Sequence, residues 1–268
     1  MATRSALLNV MIRAADKAAR GLKRDFGEVA NLQVSRKGPA DFVSTADLKA
    51  EQTLRQELRR ARPDYGFLTE EGGTKGSPAE ATRRWVIDPL DGTTNFLHGL
   101  PHFAVSVALE ERGEIIAGVV YDPAKDDLFF AEKGSGAYWN DRRLRVSSRS
   151  RLEDSLFATG IPFKGHDKGE SFLAELEAFM RETAGVRRWG TASLDLAYVA
   201  AGRFDGFWER GLSAWDIAAG AILVREAGGY VTAMDGGPLR LDDGSILAAN
   251  DSLHRPMLRL LADAAAKG

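Results

Sequence analysis

Between Trp85 and Asn140 the chain carries five short apolar or alternating runs, WVID, FAVSVAL, IIAGVVYD, DLFFAE and AYWN, closed by turn groups such as ERGE, DPAKDD and KGSG. Runs of this length, rich in Val, Ile and aromatic residues and bounded by Gly, Pro and Asp, read as strands. Connections this short join neighbours that run antiparallel, so a meander of mostly antiparallel strands is expected. Such a sheet needs cover for its apolar faces. Leu7, Val10, Met11, Ala14, Ala15 and Ala18 recur at intervals of three and four, the stripe of an amphipathic helix. A second helix is predicted over LKAEQTLRQELRRA, after a break at Pro39 and before a stop at Pro63. Both helices are expected to precede any strand.

Beyond residue 150 helices and extended segments alternate. SFLAELEAFMRETAG, TASLDLAYVAAG, WDIAAGAILVREAGG and RPMLRLLADAAAK read as helices, and FDGFWE and YVTA as extended. The expected architecture is α/β, with helices layered on sheets, in one domain over 1–268. Subdomains 1–150 and 151–268 would meet near residues 145–155. With 44% hydrophobic and 28% charged residues over 268 positions, the chain can bury a sizeable core. A formal net charge of −2 leaves no basic surplus to argue for nucleic acid or an anionic membrane as partner. The absence of cysteine excludes disulfides, cysteine-based zinc sites and thiol catalysis, and fits a reducing compartment. No apolar run approaches the roughly 20 residues that span a bilayer, so a cytoplasmic location is expected.

The chemistry concentrates where the first strand of the meander ends. In WVIDPLDGTTNFLHGLP, Asp88 is read as ending a strand and Pro89 as ending its pairing, with Asp91, Gly92, Thr93 and Thr94 following in a tight turn. Two carboxylates that converge repel unless a cation lies between them. Magnesium suits hard oxygen ligands and is commonly bound together with substrate phosphates. The carbonyl of Leu90 can be a further ligand. If Thr93 opens a short helix, the N–H groups of Gly92, Thr93 and Thr94 point outward at the positive end of its dipole and favour a phosphate. Read alone, DGT is also an ordinary capped turn. The further acids are Glu70 and Glu71 in FLTEEGG and Asp216 in the first turn of WDIAAGAILVREAGG. Taken singly they read as a solvated pair and a helix cap.

The blocks DPLDGTTNFLHGLPHFAVSVAL and WDIAAGAILVREAGG, with KGPADFVSTAD, FLTEEGG and RRWGTASLDLAYVAAGRFDGFWERG in order around them, resemble the inositol monophosphatase family. That family lies within the lithium-sensitive, magnesium-dependent phosphatases. The resemblance covers nearly the whole chain and implies a layered α-β-α-β-α sandwich, a homodimer, and two or three Mg²⁺ ions, with lithium inhibitory. By that resemblance Glu70, Asp88 and the Leu90 carbonyl hold one ion, and Asp88, Asp91 and Asp216 the second. Asp47 and Thr93 resemble the pair that orients the attacking water, Glu70 belongs to the catalytic group, and Lys37 and Glu71 lie in loops near the metals. Gly92, Thr93 and Thr94 match the phosphate seat. Gly190, Thr191, Ala192 and Glu209, with Asp91 and Asp216, match positions on the alcohol side of the substrate. One departure stands in the early block, where Ser44 replaces the usual Thr.

Two cations ~3.5–4 Å apart can neutralise a phosphate monoester, activate water and stabilise the departing alkoxide, so no covalent intermediate is needed. The histidines His98, His102, His166 and His254 form no nucleophile motif. The TNF that follows DGT is similar to the branch acting on small polyol phosphates. Adenosine bisphosphate phosphatases typically read Lys-Glu-Phe there, and histidinol phosphatases of this fold Arg-Xaa-Phe. The expectation is hydrolysis of a small-molecule phosphate monoester, myo-inositol monophosphate, with fructose-1,6-bisphosphatase or broader sugar phosphatase activity as the alternative. RRWGTASLDLAYVAAGRFDGFWE also resembles bacterial members of the SuhB type, implicated in transcription-complex assembly. Transcription antitermination factors are therefore candidate partners, with Arg187 and Arg188 the surface to test.

Overall fold

The computed structural model describes residues 4–28, 34–38, 41–74, 81–162 and 169–266. The chain begins with α1 (Ala6–Phe26), whose Ser5 side chain accepts the Leu8 N–H and whose last turn carries Lys23 and Arg24. A two-stranded antiparallel hairpin follows, β1 (Val34–Gly38) with β2 (Asp41–Ser44), then α2 (Thr45–Ala61). The hairpin corrects the expectation that two helices precede any strand. Its strands are five and four residues long, too short to show a period, and Pro39, where a break is expected, lies outside the described residues.

The meander is as expected, within a larger sheet of order β3-β4-β5-β6-β7-β8-β9. Its strands are β3 (Gly66–Thr69), β4 (Arg83–Asp91), β5 (Ala104–Glu111), β6 (Glu114–Asp122), β7 (Asp127–Glu132), β8 (Gly136–Trp139) and β9 (Arg142–Arg143), with a short helix α3 (Thr93–Leu97) between β4 and β5. All neighbours are antiparallel except β3 on β4. A second sheet, of order β11-β10-β12-β14-β13, is built from β10 (Leu156–Thr159), β11 (Gly185–Arg187), β12 (Gly206–Arg210), β13 (Tyr230–Thr232) and β14 (Ser245–Ala249). Helices α4 (Gly169–Glu182), α5 (Ala192–Ala200), α6 (Ala214–Glu226) and α7 (Asp251–Ala265) complete the order.

Three apolar clusters define the layers. One joins α1 and α2 to an outer face of the larger sheet through Met11, Leu22, Leu54, Trp85 and Ile87. The second lies between the two sheets and contains α5 and α6 with Val86, Ala104, Val120 and Phe207. The third packs α4 and α7 on the far face of the smaller sheet through Phe157, Phe179, Trp208 and Met257. The result is the α-β-α-β-α sandwich. Helix α6 is apolar on nearly every side because it has a sheet on both flanks, as expected of a helix with no solvent face. It lies hard against β6: a Cβ on Gly118 would stand 2.8 Å from the Ala219 carbonyl and 2.6 Å from Ile222, so only glycine permits that approach.

Candidate functional site

In a regular strand residues three apart point to opposite faces, so Asp88 and Asp91 should diverge. They do not, because β4 continues to Asp91 through a bulge: Asp88 pairs with Ser106 and Asp91 with Ala104, three residues against two. Ser106 and Ala104 are two apart on β5 and share a face, so the extra residue brings both aspartates to that face. This corrects the expectation that the strand stops at Asp88. Pro89, with no N–H to give to the ladder, lies in the bulge, where proline is tolerated. Asp88 accepts the Leu90 N–H at 2.9 Å. The shared face looks toward α6, since the Ser106 hydroxyl donates to the Trp215 carbonyl at 3.2 Å.

Asp216 follows Trp215 as the third residue of α6, where its Oδ2 accepts the Ser213 N–H at 2.7 Å in a capping box. Glu70 stands after β3, its N–H donating to the Ile87 carbonyl at 3.2 Å, beside the strand that bears Asp88. The electrostatics tie the four acids together. Burial pushes the Asp88 carboxyl well above the usual range, and the charges of Glu70, Asp91 and Asp216 push it further. Asp91 is raised to about 6, chiefly by burial, against two hydrogen bonds from Ser193 and with Glu70 adding. Asp216 is raised to about 8 by burial and then by Asp91, with hydrogen bonds from Ser213 and Asp88 pulling the other way.

Four acids thus crowd one point, with Asp88 only 2% and Asp91 8% exposed. Burying even one uncompensated carboxylate costs several kcal/mol, so such a cluster calls for a counter-charge. Among the described residues no three His, Asp or Glu side chains stand preassembled to hold an ion. Each aspartate is turned to a donor of its own: Leu90 N–H, Ser193, or Ser213 N–H. The mutual repulsion weighs more, because a side-chain rotation changes ligating distances whereas the backbone keeps two buried and two half-buried acids around one point. An all-oxygen, strongly anionic set of this kind fits a hard divalent cation.

Gly92 follows in the left-handed region at φ +90° and is the N-cap of α3, which opens at Thr93 as expected. A Cβ there would stand 2.6 Å from Thr191 Oγ1 and 3.1 Å from the His102 carbonyl. The first N–H groups of any helix lack intrahelical partners, and here no side chain caps them. The Thr93 hydroxyl lies 3.2 Å from Asp47 Oδ1 and 3.0 Å from the Leu90 carbonyl. Asp47 is fully buried. Its other oxygen accepts the Ser44 N–H at 2.9 Å and the Ser44 hydroxyl at 2.5 Å. Burial raises its pKa against these hydrogen bonds. Ser44, the residue that departs from the usual Thr, therefore retains the hydroxyl that matters here.

The alcohol-side residues arrive from the second half of the chain. Gly190, at φ +80°, and Thr191 precede Ala192, the first residue of α5. The Asn95 amide donates to the Trp189 carbonyl at 2.8 Å and the Thr191 hydroxyl to the His102 carbonyl at 3.3 Å, docking this segment on α3. Glu209 on β12 is raised to about 8 by burial, then by Asp216 and Asp91, with Arg188 opposing. Thr94 is exposed at the rim and Glu71 half-buried beside Glu70. Lys37 falls in β1, and its side chain lies outside the described residues.

Sequence reasoning missed three contributors. Ser193 gives both its N–H (2.8 Å) and its hydroxyl (2.6 Å) to Asp91 Oδ2. Asp195, one turn into α5, is buried with one carboxylate oxygen lacking any hydrogen bond, and is raised well above the usual range by burial and then by Glu209 and Asp91. Glu51 on α2 accepts the Glu71 N–H at 2.9 Å. The first two belong to a segment that reads as helix core, and Glu51 to what reads as a solvated helix face.

The sequence model of the inositol monophosphatase family matches residues 3–266. The chain belongs to the inositol monophosphatase family. A relative in Mesorhizobium japonicum named inositol-1-monophosphatase is 60% identical over 257 residues, 96% of each chain. A Pseudomonas aeruginosa relative named Nus factor SuhB is 47% identical, over 94% of each chain. The crystal structure of the extragenic suppressor protein suhB from Bartonella henselae superposes with a TM-score of 0.92 at 56% identity, covering 96% of this chain and 98% of that one. As a member of this phosphatase family the chain is an enzyme of metal-dependent type, with a phosphate monoester as its class of substrate.

Proposed function

We propose that the protein is a magnesium-dependent phosphomonoesterase that hydrolyses myo-inositol monophosphate to inositol and phosphate. The observation that carries this is the convergence of Glu70, Asp88, Asp91 and Asp216, from β4, α6 and the loop after β3, beside the open N-terminus of α3. Glu70, Asp88, the Leu90 carbonyl, Asp91 and Asp216 would hold two Mg²⁺ ions, with Glu70 near a third. When bound, magnesium supplies charge neutralisation of the phosphate and acidification of the attacking water. The N–H groups of Gly92, Thr93 and Thr94 seat the phosphate oxygens at the positive end of α3. Asp47 fixes the Thr93 hydroxyl, and the two orient the water by hydrogen bonds. Gly190, Thr191 and Ala192 line the alcohol side, where Glu209 accepts from or donates to hydroxyls, Lys37 and Glu71 lying in the adjoining loops.

The four acids ionise most readily with a cation among them, so metal uptake releases protons and strengthens with pH. The test is phosphate release from inositol 1-phosphate, its 4-phosphate isomer, glycerol 2-phosphate, nucleotide monophosphates and fructose 1,6-bisphosphate at matched Mg²⁺. Inositol 1-phosphate is expected to give the highest kcat/KM, and lithium to inhibit. A rate independent of added metal, or fructose bisphosphate as the preferred substrate, would overturn the assignment.

The full-length likeness to proteins named Nus factor SuhB favours a second role, added to hydrolysis, in binding transcription antitermination factors. Arg187 and Arg188, both exposed beside edge strand β11, are the surface to vary, and a pull-down recovering no such factor would count against it. The exposed Ile161, Met180 and Trp189 near this edge support a homodimer. The proposed location is the cytoplasm; among the described residues no helix is long and apolar enough to cross a membrane. The shared cluster between the sheets, drawn from both halves, supports one domain over 1–268.

A further inference from the structure

Asp47 and Glu51 lie one turn apart on the same face of α2, about 6 Å along the axis. Asp47 reaches the Thr93 hydroxyl at the turn after β4. Glu51 faces the other strand of the site. It is 6% exposed, and its Oε2 accepts the N–H of Glu71, the residue after Glu70, at 2.9 Å. Its Oε1 lies 3.7 Å from Arg55 Nη1, and that nitrogen donates to Thr69 Oγ1, the residue before Glu70, at 3.1 Å. Thr69 Oγ1 in turn accepts the Gly72 N–H at 3.2 Å, and Thr69 and Gly73 exchange backbone hydrogen bonds at 3.1 and 2.9 Å. Glu70 is therefore bracketed on both sides by contacts that lead back to Glu51 and Arg55. The packing leaves no slack: a Cβ on Gly72 would stand 2.6 Å from Glu51 Oε1 and 3.0 Å from Arg55 Nη1. Arg55 is itself seated over the Phe67 ring, 4.8 Å from its centroid.

A buried carboxylate held to a loop amide and a half-buried arginine is costly as a device for stability alone, since apolar residues of the same volume often serve as well. We propose that Glu51 is a positioning residue for the metal site: it sets the Glu70 loop at a defined height against Asp47, so that one rigid helix spaces a metal ligand from a water-orienting acid. Glu51 touches neither substrate nor ion. The inference rests on the assignment of Glu70 as a ligand.

The test is Mn²⁺ binding to the metal-free protein, read by titration calorimetry and by the electron paramagnetic resonance of free Mn²⁺, with amide hydrogen exchange of Glu71 and thermal melting alongside. Partners that orient metal ligands are typically worth 10–100-fold in affinity, so Glu51→Ala is expected to weaken Mn²⁺ binding by about 10-fold and to speed Glu71 exchange. Glu51→Gln keeps the acceptor oxygen and is expected to bind within about threefold of wild type. Gly72→Ala, whose Cβ would displace the Glu51 carboxylate from the loop, is expected to weaken binding like Glu51→Ala and keeps the test open should that variant not fold. A lowered melting temperature with unchanged Mn²⁺ affinity in Glu51→Ala or Gly72→Ala would reduce Glu51 to a structural role and overturn the inference. Wild-type protein that takes up no Mn²⁺ would overturn the Glu70 assignment itself, a different failure that the wild-type titration reads directly.

Discussion

Two helices in this molecule begin with the same device. Ser44-Thr-Ala-Asp47 opens α2 and Ser213-Ala-Trp-Asp216 opens α6, each closing a capping box in which the aspartate accepts the N–H of its serine. The local chemistry is the same, yet the two acids are prepared for different work. Around Asp47 the named neighbours are donors: the Ser44 N–H and hydroxyl and the Thr93 hydroxyl, which oppose the effect of burial. Around Asp216 three of the named neighbours are acids, Asp91, Glu70 and Asp88; burial and then the charges of Asp91 and Glu70 push its pKa to about 8. A cap surrounded by donors becomes a fixed acceptor that can hold a hydroxyl or a water. A cap surrounded by acids becomes a repulsive site that a cation relieves. Function here follows from what the rest of the fold brings up to a common motif.

The largest test of that contrast is Asp216→Asn. The amide oxygen still accepts from Ser213, while a carboxyl that can ionise only at a cost leaves the cluster. Loss of a ligand to a cation that contributes several kcal/mol to the transition state predicts a fall in kcat/KM of about a thousandfold or more. The same change relieves repulsion, so the metal-free variant is expected to melt a few degrees higher than wild type, at about 2–4 °C per kcal/mol for a chain of this size. Asp47→Asn should instead lower kcat by about 10²–10⁴-fold, the range of a positioned proton-transfer group, while leaving Mn²⁺ affinity near wild type. Equal losses of metal affinity in the two variants would erase the distinction.

The pH dependence sharpens it further. Asp91 at about 6 and Asp216 at about 8 are both raised above their unfolded values near 4, so between those limits the native state holds protons that the unfolded state has lost. Their stabilising contribution is full at low pH and is lost as pH rises through about 6 and then about 8. Melting of the chelator-treated protein should therefore decline over that window, and Mg²⁺ should restore most at its alkaline end. Asp216→Asn should flatten the upper part of the decline and Asp47→Asn should not. The smallest effect expected is at the caps themselves. Ser44→Ala removes a hydroxyl bonded to Asp47 and to the Ala46 N–H at 3.1 Å, and should cost about 1 kcal/mol. Ser213→Ala, at a serine that is half-buried where Ser44 is buried, should cost less, as read by denaturant midpoints.

The meander and the long helices were legible in the sequence because their periods are sustained over many residues, as in IIAGVVYD and the stripe from Leu7 to Ala18. The short strands were not. Residues 156–159, 185–187 and 245–249 are four, three and five long, and apolar runs such as ILAA in the last read equally as helix. The hairpin before α2 was invisible for the same reason. At the site, Asp88, Asp91 and Asp216 could be named from motifs, and their convergence depends on a bulge that no pattern announces. Ser193, Asp195 and Glu51 escaped notice because each occupies a helix whose periodicity gives polar residues another explanation.

The position of α6 between the two sheets has a consequence for the order in which the enzyme becomes competent. Glu70, Asp88 and Asp91 leave the ribosome well over a hundred residues before Asp216. The helix that carries Asp216 finds its place only when β5 and β6 on one side and the smaller sheet on the other are there to receive it. Contacts so distant along the chain form slowly. A nascent or partly folded chain can therefore gather three acids but not the fourth, and full ion binding would report that the last layers have closed.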